Sequence, residues 1–184
     1  MRERSEGDRE LDPPARRERM CGMGGGCILC DPDRAMTELS RQTVWEDDLW
    51  RLSTTLDGAV PGFSYLEPKR HVPHITDLDG PEATTFGAVI ARTTKAIREA
   101  THAVVVYVYV FGGGVPHLHV HLAPHREGDA LNSAIIRGPI TLEKLPSGAT
   151  RMRSTEFPPR PEADMRAAVE AIMLKLRGTP ASME

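Results

Sequence analysis

Apolar and polar positions alternate most regularly in the middle of the chain. Residues 103–111 are rich in valine and tyrosine and read as a β-strand. Gly112-Gly113-Gly114 breaks that run. Val115-Pro116-His117-Leu118-His119-Val120-His121-Leu122 then resumes the alternation, so the two runs are predicted to pair across a tight, glycine-rich connection. Upstream, residues 43–53 read as a hairpin turning at Glu46-Asp47-Asp48. Residues 62–72 read as a further strand ending in Glu67-Pro68-Lys69-Arg70-His71. Phe86, Val89, Ile90, Thr93 and Ile97 recur at helical spacing after Asp79-Gly80-Pro81-Glu82, which predicts an amphipathic helix to about Ala100 with Asp79 as its N-cap. Past Glu127 the pattern weakens. Residues 139–154 suggest a hairpin turning at Pro146-Ser147-Gly148, and Met165, Val169, Ile172 and Leu176 mark a terminal amphipathic helix closed by Gly178 and Pro180.

Composition narrows the class. A chain of 184 residues suits one domain with appendages, and 40% hydrophobic with 27% charged residues describes a soluble globular protein. A net charge of −3 gives no general affinity for polyanions, so no nucleic-acid surface is expected. No apolar stretch approaches the roughly 20 residues that span a bilayer, so no membrane association is expected. Residues 1–20 alternate arginine with acidic residues. They are expected to be a disordered, charged tail without the apolar core of a signal peptide. Two of the three cysteines form Cys27-Ile28-Leu29-Cys30, a poor disulfide framework but a metal or redox motif, and the cytoplasm is the expected compartment.

The chemistry concentrates in the histidines, four of whose seven lie between positions 117 and 125. In a strand, residues i, i+2 and i+4 share a face, so His117, His119 and His121 are predicted to line up on one side. Imidazole there offers a nucleophile, a general acid or base and a metal ligand near neutral pH. The cysteine pair lacks the strand–CxxC–helix setting of a thioredoxin-type redox site. Zinc would need two further ligands, for which His71, His74 and His117 are the candidates, and spacing alone does not choose among them. Gly22-Met23-Gly24-Gly25-Gly26 is not a dinucleotide fingerprint, since no strand precedes it and no clear helix follows.

His117-Leu118-His119-Val120-His121-Leu122-Ala123 resembles the His-φ-His-φ-His-φ-φ signature of the histidine triad (HIT) superfamily of nucleotidyl hydrolases and transferases. Pro68-Lys69-Arg70-His71 is similar to a segment that many members carry at a strand end. Cys27-x-x-Cys30 is similar to the N-terminal pair of the zinc-containing branch. The resemblance covers residues 27–125, and the motifs stand in the family's order. It implies an α+β fold: an antiparallel sheet of about five strands with one main helix and a C-terminal helix. Residues 21–126 would form the core with its zinc site, and residues 127–184 a C-terminal extension. It implies a structural Zn2+ on Cys27, Cys30, His71 and His117, with His119 as nucleophile and His121 orienting the α-phosphate. The ligand implied is a nucleotide or nucleotide conjugate, and the assembly a homodimer.

Gly113 and Gly114 are candidates for bringing backbone N–H groups to a phosphate. His125, four residues beyond His121, is a candidate second substrate contact. Phe111-Gly112-Gly113-Gly114-Val115-Pro116 stands where many members carry Asn-x-Gly and Gly-Gln-(Ser/Thr), whose polar groups contact phosphate or leaving group. A non-catalytic, zinc-stabilised nucleotide-binding protein is the alternative. A cupin-type metalloenzyme is a weaker one, because the spacing from His121 to Glu127 is too long and the cysteine pair would go unexplained.

Overall fold

The computed structural model describes residues 26–111, 114–127, 129, 140–148, 150–154 and 157–178. The charged tail and Gly113 lie outside them. A 3-10 turn at Ile28–Cys30 leads into α1 (Pro32–Leu39), which Asp31 caps by accepting the Arg34 N–H, with Pro32 in the first turn. Strands β1 (Arg41–Glu46) and β2 (Trp50–Thr55) follow as a hairpin. Asp47 Oδ1 accepts the N–H groups of Leu49 and Trp50 at 2.9 and 2.7 Å and closes its turn. After β3 (Ser64–Pro68) come α2 (Gly80–Thr101), β4 (Val105–Tyr109) and β5 (Val120–His125). A separate hairpin of β6 (Ile140–Lys144) and β7 (Thr150–Ser154) precedes α3 (Glu162–Arg177).

The main sheet has five strands in the order β1-β2-β3-β5-β4, and every pairing is antiparallel. One face is covered by helices. Trp50, Leu52, Leu66, Val120 and Leu122 point into a core completed by Val89, Ala96 and Ile97 of α2 and by Val169, Ile172 and Leu176 of α3. Trp50 stacks on Phe86 at 5.6 Å and donates its indole N–H to Thr85. The stripe predicted for α3 is the stripe that is buried, so this helix belongs to the core of the sheet although it follows the second hairpin. The opposite face carries polar side chains that are themselves buried, Arg41, Ser53, Glu67 and His119 among them.

Four local expectations change. Asp79 sits at the N-cap of α2, but its carboxylate makes no capping bond; it pairs instead with the Arg70 guanidinium at 2.6 Å. A helix does follow the glycine-rich lead and the cysteines, signalled by Asp31-Pro32. The 62–72 strand ends at Pro68. The histidine strand begins only at Val120, and the link from β4 is no tight turn. Pro116 removes a backbone donor, and the His117 N–H folds back to the Val115 carbonyl at 2.8 Å. Leu118 then donates to the Val72 carbonyl. This detour takes His117 out of the sheet while β4 and β5 still pair as neighbours.

Candidate active site and metal centre

The detour delivers His117 to the cysteine turn. Cys30 N–H donates to the Cys27 carbonyl at 3.0 Å, while Ile28 and Leu29 are buried with Ala35, Val115 and Leu145 in a small second core. His71 arrives from the segment that leaves β3. The four ligand atoms of Cys27, Cys30, His71 and His117 all lie within 4.8 Å of one another. Cys27 Sγ is 3.4 Å from His117 Nδ1, Cys30 Sγ is 3.4 Å from His71 Nδ1, and Cys30 Sγ is 3.5 Å from His117 Nδ1. Zinc–sulfur and zinc–nitrogen bonds of about 2.3 and 2.0–2.1 Å in a tetrahedron place sulfur and nitrogen about 3.6 Å apart. The cluster therefore has the donor set of a four-coordinate zinc site, and these three sulfur–nitrogen separations are close to the edge length such a site needs. His117 Nε2 donates to the Pro68 carbonyl at 2.9 Å, which turns Nδ1 toward the thiols. Burial pushes the His117 imidazole down to about 4, so it stands neutral, as a ligand must. His74, the other candidate, is exposed and outside the cluster.

His119 and His121 lie on the sheet face opposite α2 and α3, with ring centroids 5.1 Å apart. His119 is buried, and its Nδ1 donates to the His117 carbonyl at 2.6 Å. That bond fixes the tautomer and leaves Nε2 with its lone pair. Burial also lowers the His119 pKa, with Arg41 adding in the same direction. His121 sits among aromatic rings: Tyr65 at 5.1 Å, Tyr109 at 5.1 Å, Phe111 at 5.3 Å and Phe63 at 5.9 Å. His125 lies two residues further along the same face beyond Ala123. It is buried near Tyr107 and 3.9 Å from an Asp129 oxygen, at the other end of β5. Gly114 lies where an added Cβ would stand 3.7 Å from the Thr150 carbonyl, so the second hairpin approaches the loop that leads into the triad.

Sequence reasoning did not foresee a charged network beside these histidines. Arg41 lays its guanidinium over the Tyr65 ring at 3.5 Å and pairs with Glu67 at 3.6 Å, and Arg51 lies 4.0 Å from Glu67 and 3.3 Å from Glu46. Arg51 also donates to the Leu29 carbonyl inside the Cys27–Cys30 turn. Burial raises the Glu67 carboxyl to about 7 against the pull of Arg41 and Arg51. Part of the signal for the aromatic wall was present in Tyr109 and Phe111, which alternate at the end of the valine- and tyrosine-rich run. The charged network gives no such signal, because Arg41, Arg51 and Glu67 are far apart in sequence and meet only through strand register.

A family model described as the HIT domain matches residues 36–128, half of the chain, and the chain belongs to that family. Cys27 and Cys30 precede the matched span. A fusion protein of nitrilase and fragile histidine triad from Caenorhabditis elegans is 32% identical over 103 residues, covering 52% of this chain and 23% of that protein. The chain thus spans about a quarter of that relative. Among solved structures, a histidine triad nucleotide-binding protein from Sulfolobus tokodaii is similar with a TM-score of 0.59 at 18% identity, covering 82% of this chain and 92% of that one. A Zn-bound histidine triad family protein from Mycobacterium smegmatis is similar with a TM-score of 0.52 at 21% identity, covering 82% and 96%. These structures share the fold.

Proposed function

We propose that the protein is a nucleotidyl hydrolase or nucleotidyltransferase acting at the α-phosphate of a nucleotide or nucleotide conjugate, with His119 as nucleophile. The observation that carries this reading is the 2.6 Å bond from His119 Nδ1 to the His117 carbonyl, which keeps Nε2 as a free, fixed lone pair. In the first step Nε2 attacks phosphorus in line, a phosphorus–nitrogen bond forms, and the bond to the leaving group breaks. In the second, water or another acceptor attacks the same phosphorus and returns the electron pair to Nε2. His121, held by the aromatic wall, orients the phosphate. The backbone at Gly113 and Gly114 and the ring of His125 are further substrate contacts in this reading.

Cys27, Cys30, His71 and His117 would hold a structural Zn2+, which ties the N-terminal turn to the segment after β3 and to the triad. Two thiols in a metal site, with no disulfide between them, suit a reducing compartment, hence the cytoplasm. Among the described residues strand β4 pairs with β5 alone and leaves Val105, Tyr107, Val108, Val110 and Phe111 exposed, an edge suited to a second copy of the chain. A homodimer across β4 covers it.

The direct test is intact-protein mass spectrometry of wild type and His119→Ala incubated with mononucleotides, dinucleoside polyphosphates and nucleotide sugars. A nucleotidyl mass gain or turnover in wild type, absent from the variant, is the expected result. Ligand binding without adduct or turnover in folded, zinc-loaded wild type would instead identify a non-catalytic nucleotide binder.

A further inference from the structure

The Cys27–Cys30 turn lacks one backbone donor. Its carbonyls are satisfied in order: Cys27 accepts from the Cys30 N–H at 3.0 Å, and Ile28 from the Asp31 N–H at 3.3 Å. The next carbonyl in the series, that of Leu29, has no such partner, because residue 32 is proline and carries no N–H. Asp31, at φ −117° and ψ 98°, is extended, so the turn ends there. Leu29 is buried, and a buried carbonyl needs a donor. Arg51 supplies it from β2. Its Nη1 donates to the Leu29 carbonyl at 3.4 Å, and Arg51 is itself buried.

The bond reaches the metal ligands through peptide geometry. The Leu29 carbonyl and the Cys30 N–H belong to one planar peptide and point opposite ways. Arg51 holds one edge of that plane and the Cys27 carbonyl holds the other. Fixing the plane narrows the direction of the Cys30 side chain, whose sulfur lies 3.4 Å from His71 Nδ1 and 3.5 Å from His117 Nδ1. The same pair of strands holds a second ligand. Arg51 is in register with Glu67, and the next residue, Pro68, accepts from His117 Nε2. Ion pairing does not explain where Nη1 points. Arg51 Nε meets Glu46 at 3.3 Å, a carboxylate that Lys69 shares at 3.6 Å. Nη1 is 4.0 Å from Glu67, which Arg41 also faces at 3.6 Å. The Leu29 carbonyl is nearer to Nη1 than that carboxylate is.

We propose that Arg51 is a positioning residue for the metal centre, holding the Cys27–Cys30 turn in its ligating shape through the Leu29 carbonyl. The inference rests on the reading of the cluster as a zinc site. Its test is the zinc dissociation constant, measured by competition with a chromogenic chelator, for wild type, Arg51→Met, Arg51→Lys and Lys69→Gln. Chemical denaturation of the same zinc-loaded proteins runs beside it. Arg51→Met keeps the apolar stem and removes the donors, and is expected to weaken zinc at least about tenfold. Arg51→Lys keeps the charge, but its ammonium lacks the planar fork and is drawn to Glu46 and Glu67. It should weaken zinc severalfold. Lys69 Nζ meets Glu46 and the Asp47 carbonyl and not the turn. Lys69→Gln should therefore leave zinc affinity within about twofold of wild type. Lower stability of zinc-loaded Arg51→Met at an unchanged dissociation constant would mark a role confined to the sheet and overturn the proposal. Equal weakening by Lys69→Gln would mark a general effect of charge and overturn it too. If Arg51→Met does not fold, Arg51→Lys decides, and wild-type zinc affinity in that variant overturns the proposal. A folded wild type that takes up no zinc would overturn the zinc reading and this inference with it.

Discussion

His117 Nε2 donates to the carbonyl of Pro68 across 2.9 Å, and this bond divides the labour of the three histidines. With Nε2 committed to β3, Nδ1 of the same ring faces Cys27 and Cys30. The His117 carbonyl in turn accepts from His119 Nδ1. One residue thus ties the metal cluster to the ring proposed as nucleophile.

Loss of a cluster ligand should therefore be felt through the whole site. Cys30→Ser or His71→Ala is expected to abolish stoichiometric zinc and to lower the melting temperature by more than about 5 °C. Chelation of wild type should reproduce the shift. Metal analysis paired with thermal unfolding checks it, and unchanged stability in metal-free protein would remove zinc from the account.

Glu67 makes a prediction about pH whose sign is fixed by burial. Its folded pKa is raised from 4.5 to about 7, so between those values the folded state holds more proton than the unfolded state. Stability from this group is fully present below about pH 4.5 and is lost as pH rises through about 7. Denaturant titrations of wild type and Glu67→Gln across pH 5–8 isolate it by difference, because other titrating groups cancel. The wild-type curve should lose on the order of 1–3 kcal/mol relative to the variant over that interval.

The edge strand can be blocked directly. Val108 is exposed on β4, where the proposed dimer would bury it. Val108→Asp is expected to give a monomer by light scattering while the fold and metal content persist. A wild type that is already monomeric at micromolar concentration would rule out the β4 pairing.

The terminal helix is a test of packing. Ile172 is fully buried against the core shared by the sheet and α2. Ile172→Ala should cost about 2–4 kcal/mol by chemical denaturation, whereas the exposed Leu174→Ala should change little.

Much of this architecture was legible in the chain. Helical spacing at Phe86–Ile97 and Met165–Leu176 marks α2 and α3, and β-propensity marks β4, because burial of one face imposes its period on the sequence. The triad motif and the cysteine pair bring the metal and reactive histidines into view for a related reason: coordination and catalysis demand particular residue types. The start of β5 was less legible. Alternation extends back to Val115, yet Pro116 and the His117 turn break the strand, and periodicity carries no record of a hydrogen bond to Pro68.

The sequence by itself determined that a sheet-and-helix domain of the HIT family forms around a row of histidines, since the hydrophobic periods and the motif are local properties of the chain. The tertiary structure brought His117 to Cys27, Cys30 and His71, the set the motif resemblance implies, and left His119 and His121 on the sheet face opposite α2 and α3. Only it brought Arg41, Ser53, Glu67 and Tyr65 from three strands to one surface. Long-range register sets which distant residues share a face, and no local pattern encodes it.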